Sequence, residues 1–219
     1  MQVIAHRGAS AYAPENSLAA YDLALAQGAH VLELDVRVAR DGAVVVVHDP
    51  TLARTLGDPR PVAEVPSAEL LLLETVLTRY GARTRYLIDL KDPTPAWETR
   101  VVDAIERHGL RTRCTVQSFD GAALDRLHRA ASWLDLALLF DQSASWHIDV
   151  EAVPGHLAGL GPWHPAVDAD LVARAHARGL RVVPWTVDDP DEVHRLRGLG
   201  LRHVITNRPD VAVAATRAR

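Results

Sequence analysis

Apolar and polar positions follow two different periods along this chain. Runs such as Val31-Leu32-Glu33-Leu34-Asp35-Val36 and Tyr86-Leu87-Ile88-Asp89-Leu90 are strand-like, with charged residues interleaved at every second position. Between such runs lie stretches of helical spacing, for example Leu171, Val172 and Ala175 behind Asp168. The helical stretches have consistent ends. Gly109-Leu110-Arg111, Gly179-Leu180-Arg181 and Gly200-Leu201-Arg202 each close a helix and lead into a strand. Asp168 and Asp189 are placed as N-caps, the latter with Pro190 at the first helical position and two acids behind it.

Strands are expected to begin near Val3, Val31, Tyr86, Cys114, Asp135, Leu157, Val182 and His203. Most are separated by roughly 21 to 28 residues, the length of one strand-helix unit. Eight such units without a Pro- or Ser-rich linker predict a single α/β domain over residues 1–219, folded as a closed (β/α)8 TIM barrel. A doubly wound open sheet is the competing architecture. The one long gap, between Val31 and Tyr86, holds a further β run, Ala43 to His48, which Arg40-Asp41-Gly42 joins to the strand before it. This run is expected to form a hairpin extension beside the barrel mouth.

Composition narrows the function classes. The chain has 219 residues, 48% hydrophobic and 24% charged, with a net charge of −4, which gives no basic surplus for nucleic acid. Cys114 is the single cysteine, so no internal disulfide can form and there is no cysteine cluster for zinc. No apolar run approaches the length of a membrane span, and Met1 stands almost directly before the first strand, so a cytoplasmic protein is expected. Of the 24 basic residues only Lys91 is lysine. It is either a remnant of coding bias or a position that needs a compact ammonium group.

In a barrel of this type the strand C-termini carry the chemistry. Those ends read His6-Arg7, Glu33 and Asp35, His48-Asp49, Asp89 and Lys91, Gln117-Ser118, Trp163-His164, Trp185, and Thr206-Asn207. With Leu34, Val36, Ile88 and Leu90 turned toward the helices, alternation sends Glu33, Asp35, Asp89 and Lys91 into the barrel. Three carboxylates in one mouth need compensation, either from a hard divalent cation or from Arg7 and Lys91 as ion-pair partners. Spacing alone supports both equally. His6 and His48, each beside a charged neighbour, favour the cation, because a histidine pair suits base and acid on opposite sides of a phosphoryl displacement. His30, His108, His128, His176 and His194 read as ordinary polar residues.

The ordered motifs resemble the glycerophosphodiester phosphodiesterase family over nearly the whole chain. They are Ala5-His6-Arg7-Gly8, Pro14-Glu15-Asn16-Ser17, Leu32-Glu33-Leu34-Asp35-Val36, Asp41-Gly42 through Val47-His48-Asp49-Pro50, Gln117-Ser118-Phe119, Trp185-Thr186-Val187, and Ile205-Thr206-Asn207-Arg208-Pro209-Asp210. The resemblance implies metal-dependent hydrolysis of a small glycerophosphodiester to an alcohol and glycerol phosphate. It implies His6 and His48 as the catalytic pair and Glu33, Asp35 and Asp89 as ligands of Ca²⁺ or Mg²⁺. Arg7 and Lys91 would contact phosphate oxygens, and Glu15 and Trp185 would belong to the substrate pocket. Two departures stand out. The family's third metal carboxylate is usually Glu where this chain has Asp89, one methylene shorter. The segment from Thr55 to Leu73 is shorter than the family's usual insertion, which is expected to leave part of the wall over the alcohol end missing. Phospholipase D-like cleavage of lysophospholipids and a non-catalytic barrel that binds phosphate esters are the alternatives. Integral membrane association is not expected.

Overall fold

Strand pairing follows the predicted order, because each short run can bury two faces at once. The computed structural model describes residues 1–217, so the last two positions of the expected domain lie outside the described residues. Its strands are β1 (Gln2–Ala5), β2 (Val31–Val38), β3 (Val44–Val46), β4 (Arg85–Leu90), β5 (Cys114–Ser118), β6 (Asp135–Leu139), β7 (Gly159–Gly161), β8 (Arg181–Val182) and β9 (His203–Thr206). All except β3 pair in parallel, in the order β8-β7-β6-β5-β4-β2-β1-β9. Backbone bonds close the seam beyond β8. The Ile205 N–H donates to the Pro184 carbonyl at 3.0 Å, and the Val187 N–H donates to the Ile205 carbonyl at 2.8 Å. The chain is therefore an eight-stranded parallel barrel with alternating helices, and the open sheet is excluded.

The principal helices are α1 (Leu18–Ala26), α2 (Ala53–Leu56), α3 (Leu73–Tyr80), α4 (Glu98–Arg107), α5 (Gly121–Ala130), α6 (Ala169–Ala177), α7 (Pro190–Gly198) and α8 (Pro209–Arg217). Their ends obey the sequence signals. The Ser17 hydroxyl accepts from the Ala20 N–H at 3.2 Å, and the Asp168 carboxylate from the Leu171 N–H at 2.8 Å. The Asp189 carboxylate caps α7 through the Asp191 N–H at 2.9 Å.

Alternation along the strands divides the interior into two layers. Leu32, Leu34, Val36 and Ile88 are fully buried beneath the helices. Their neighbours Val31 and Leu87 face the opposite way and join Ile4 and Ile205 in a small apolar plug inside the barrel. Above that plug, toward the strand C-termini, the inward positions of β2 and β4 become carboxylates.

Strand β3 lies antiparallel to β2, with Val36 opposite Val46, as the hairpin reading requires. Gly42 takes a positive φ of 82° at the turn, where a residue with a Cβ would be strained. The segment after the hairpin folds over its own small core of Ala39, Val45, Val47, Leu52, Val62 and Val65. It borders an open cavity of about 480 Å³ against Ala13–Leu18 and His48. Val62 and Val65 are buried here in and beside the first of two successive 3₁₀ turns.

Candidate active site

The mouth is organised by a tight turn after β1. Arg7 and Gly8 both have positive φ, at 57° and 83°. A Cβ on Gly8 would lie 2.7 Å from the Ala20 backbone carbonyl carbon, so the turn can approach α1 only with glycine at this position. The turn directs the Arg7 N–H to the Glu33 carboxylate at 2.8 Å, while the Arg7 guanidinium lies 3.1 Å from Asp35 and 3.0 Å from Glu15. Asn16 supports the same cluster. Its amide donates to Asp35 at 2.9 Å, and its oxygen accepts from the buried Tyr21 hydroxyl at 2.9 Å.

Glu33, Asp35 and Asp89 are 1%, 0% and 3% exposed, and each offers an oxygen within 4.8 Å of the others. Lys91 Nζ lies 2.6 Å from Asp89 and 3.1 Å from Asp35. Two cations thus face three carboxylates. Burial, with Asp35 and Asp89 beside it, pushes the Glu33 carboxyl well above the usual range. Burial likewise raises Asp89, to about 6, against the pull of Lys91. Burial acts on Asp35 in the same direction, but Lys91 and Arg7 outweigh it and hold that carboxyl below its ordinary value. One oxygen of Asp89 is buried without a hydrogen-bond partner, and Asp35 Oδ1 meets only the Lys91 ammonium, at 3.1 Å. Under-satisfied oxygens on convergent carboxylates are the donor set a hard divalent ion takes, so the residues present fit such an ion. The shorter Asp89 still reaches the cluster.

The two histidines have different partners. His6 Nδ1 is 2.7 Å from Asn207 Oδ1. The orientation of the Asn207 amide is set by Asp188, which accepts from its Nδ2 at 2.7 Å and from its backbone N–H at 2.7 Å. The Ser10 hydroxyl donates to the same Asn207 oxygen at 2.8 Å. Nδ1 of His6 is therefore the protonated nitrogen, and Nε2 carries the free lone pair. Burial and the Arg7 charge lower the His6 pKa to about 4, which keeps the ring neutral at pH 7. His48 Nδ1 instead meets the Asp49 carboxylate at 2.6 Å. Burial lowers its pKa, while Asp35 and the Asp49 bond work the other way.

Arg54 ties the two sides together. It donates to Asp49 at 2.6 Å and to both oxygens of Glu15 at 2.6 and 2.7 Å. Trp185 packs edge-on against Phe119 at 6.1 Å and donates its indole N–H to the Gly161 carbonyl at 2.9 Å. Lys91 Nζ stands 5.6 Å over the Phe119 ring.

The structure thus brings together His6, Arg7, Glu15, Glu33, Asp35, His48, Asp89 and Lys91, with Trp185 joined through Phe119. Other residues at strand ends are engaged elsewhere. Ser118 donates to the Leu90 carbonyl, His164 is bound to Glu192 at 2.6 Å, and Gln117 faces a cavity among the strand N-termini. His30 accepts from the Val3 N–H at 3.1 Å and His108 meets Glu74, in keeping with ordinary polar roles. Periodicity and spacing assign no role to Asn16, Asp49, Arg54, Asp188 or Asn207. The signals they do carry are that Asp49 and Asn207 stand at strand ends and that each of the five lies in or close to one of the ordered motifs.

Comparison with known proteins agrees with this geometry. The model of the glycerophosphoryl diester phosphodiesterase family matches residues 6–94 and 90–211. A glycerophosphodiester phosphodiesterase of Bacillus subtilis is 28% identical, over 95% of this chain and 84% of its own length. Two solved structures are similar throughout. A glycerophosphodiester phosphodiesterase from Agrobacterium tumefaciens superposes with a TM-score of 0.85 at 25% identity, covering 100% of both chains. An Oleispira antarctica phosphodiesterase, solved in complex with the product sn-glycerol-3-phosphate, gives 0.87 at 26% identity, covering 100% of this chain and 97% of its own.

Proposed function

The chain belongs to the glycerophosphoryl diester phosphodiesterase family and is a phosphoric diester hydrolase, and from that premise we propose that it cleaves small glycerophosphodiesters with His6 as base and His48 as acid. The observation that carries the assignment is the contrast between their partners. A neutral amide oxygen on His6 Nδ1 leaves Nε2 as an acceptor, whereas the carboxylate on His48 Nδ1 works toward the imidazolium that an acid requires, against the burial that lowers the His48 pKa overall. Arg7 and Lys91 hold non-bridging phosphate oxygens. His6 takes the proton of the nucleophile, either water or the neighbouring hydroxyl of the glycerol, the latter giving a cyclic phosphate first. His48 protonates the departing alkoxide, and Arg54 and Asp49 orient its ring. Glu33, Asp35 and Asp89 would hold Ca²⁺ or Mg²⁺, which supplies Lewis-acid neutralisation of the phosphate when bound. A panel of glycerophosphodiesters assayed with and without each cation tests the reading. Lack of turnover of every diester under all conditions overturns it in favour of a binding barrel. No helix among the described residues is long and apolar enough to cross a membrane.

The pH profile tests the role of His48. Asp49→Asn removes the carboxylate that raises the His48 pKa, so the imidazolium is lost at lower pH. The alkaline limb of kcat/KM is therefore expected to move down. An unchanged limb would show that His48 is not the proton donor.

One observation favours a second substrate. The 480 Å³ cavity beside His48 carries an apolar stripe of Leu52, Leu56, Leu70 and Leu71. Glu15, Arg54 and Glu69 also line it, but its one buried polar residue is Asn16, already bonded to Asp35 and Tyr21. Rejection of analogues that lack a hydroxyl depends on buried polar partners. Values of kcat/KM for glycerophosphocholine, glycerophosphoethanolamine and a simple synthetic diester are thus expected to lie within roughly a hundredfold, about 2.7 kcal/mol. A lysophospholipid should also be cleaved, its acyl chain along the leucines. A ten-thousandfold preference for one glycerophosphodiester over the synthetic diester would show a polar, selective pocket instead.

A further inference from the structure

The end of the barrel opposite the mouth has an unusual interior. Strand β7 reads Gly159-Leu160-Gly161, and Leu160 points outward into the helix-facing core. The two glycines face inward beside Ala137 and Leu139 of β6, so β7 itself contributes no side chain to this part of the barrel. It leaves a cavity of about 280 Å³ among the first residues of the strands. A Cβ on Gly161 would come within 2.5 Å of the Leu139 Cδ2, and one on Gly159 within 3.2 Å of the Arg181 carbonyl oxygen.

The lining is cationic. Arg85, Arg113 and Arg181 all border the cavity, with Asp135 the one acid among its lining residues. Asp135 is already engaged, accepting from Arg181 at 2.6 and 2.7 Å and from the Thr115 hydroxyl at 2.8 Å. Among the described residues, the Arg85 and Arg113 guanidinium groups have no carboxylate partner. His203 stands on the same wall, where burial, then Arg181, the N-terminal amino group, Arg202 and Arg85 lower its pKa to about 4. Deeper in, Gln117 is 4% exposed and borders the cavity, and its amide has no hydrogen-bond partner among the described residues. A buried amide that can both donate and accept is a poor filler for a cavity unless something polar meets it.

We propose that this basal cavity is a second ligand site, separate from the active site, for a small phosphate monoester with a hydroxylated tail. Arginine guanidinium groups at the rim suit the phosphate, whose oxygens accept paired N–H bonds. Gln117 at the inner end suits a hydroxyl, to which it can give and from which it can take a hydrogen bond. The apolar wall of Ile4, Val31 and Leu87 suits the carbon skeleton between them. Inorganic phosphate shares the rim chemistry but cannot reach Gln117.

Isothermal titration of the whole protein with sn-glycerol 3-phosphate and with inorganic phosphate tests the site. Three proteins are compared: the unaltered chain, the double variant Arg85→Ser/Arg113→Ser, and Gln117→Leu. The double variant is expected to bind one fewer glycerol 3-phosphate per chain, that component being at least tenfold weaker, with diester turnover within twofold of the unaltered protein. Gln117→Leu should weaken the same component for glycerol 3-phosphate and leave inorganic phosphate unaffected. Identical stoichiometry and affinity in the unaltered protein and the double variant would overturn the site. Should the double variant not fold, Arg85→Glu alone replaces it under the same criterion. An equal effect of Gln117→Leu on both anions, or on neither, would overturn the ester assignment.

Discussion

Glu33→Ala is expected to abolish divalent-dependent turnover while the barrel stays folded. Glu33, Asp35 and Asp89 converge within 4.8 Å, and loss of one carboxylate leaves too few protein oxygens for a hard ion. The fold should tolerate the change, since the variant removes one of three repelling acids and leaves Arg7 and Lys91 facing the remaining two. Two measurements separate metal loss from damage to the fold. Adding Mg²⁺ or Ca²⁺ to the unaltered protein should raise its thermal midpoint, because an ion at a hundredfold above its Kd stabilises the folded state by about 2.7 kcal/mol. In Glu33→Ala that shift should vanish, while the ion-free midpoint stays close to that of the unaltered protein. Full activity after exhaustive chelation would remove the metal from the mechanism.

The second large effect concerns the histidines. His6→Ala and His48→Ala should each lower kcat by about two to four orders of magnitude, the usual reach of one positioned base or acid. The two variants then part company on substrates with an acidic leaving group. Such a group departs without protonation, so it should partly rescue His48→Ala. His6→Ala still lacks the group that activates the nucleophile and should gain nothing. Equal rescue would show that the roles are wrongly divided. If both variants instead lose thermal stability and keep turnover, the rings merely brace the mouth through Asn207 and Asp49.

Much of this site is legible in the amino-acid pattern, for a local reason. Direction along a strand alternates by residue, so an apolar Leu34 and Val36 are enough to place Glu33 and Asp35 on the inner face. The same rule makes Lys91 an inward neighbour of Asp89. Caps are equally local: Ser17, Asp168 and Asp189 each reach an N–H two or three residues ahead. The loop from Thr55 to Leu73 is less legible. Its burial depends on the hairpin surface of Val45 and Val47, and its own pattern carries no period that reports such a partner.

By itself, then, the chain's pattern determined the strand-helix order, the inward acids, the histidines at the strand ends and the family they resemble. Tertiary structure alone decided which atoms those groups meet. His6 finds Asn207 only because closing the barrel sets β1 beside β9, with Ala5 opposite Thr206. Arg54 reaches Glu15 only because the hairpin segment folds back over the start of α1. The bare interior at β7, which opens the basal cavity, likewise depends on which side chains stand across the barrel from two glycines. Periodicity is a property of neighbours along the chain and so can be read from sequence. Hydrogen-bond partners and cavities depend on distances between remote segments, and these exist only once the barrel has closed.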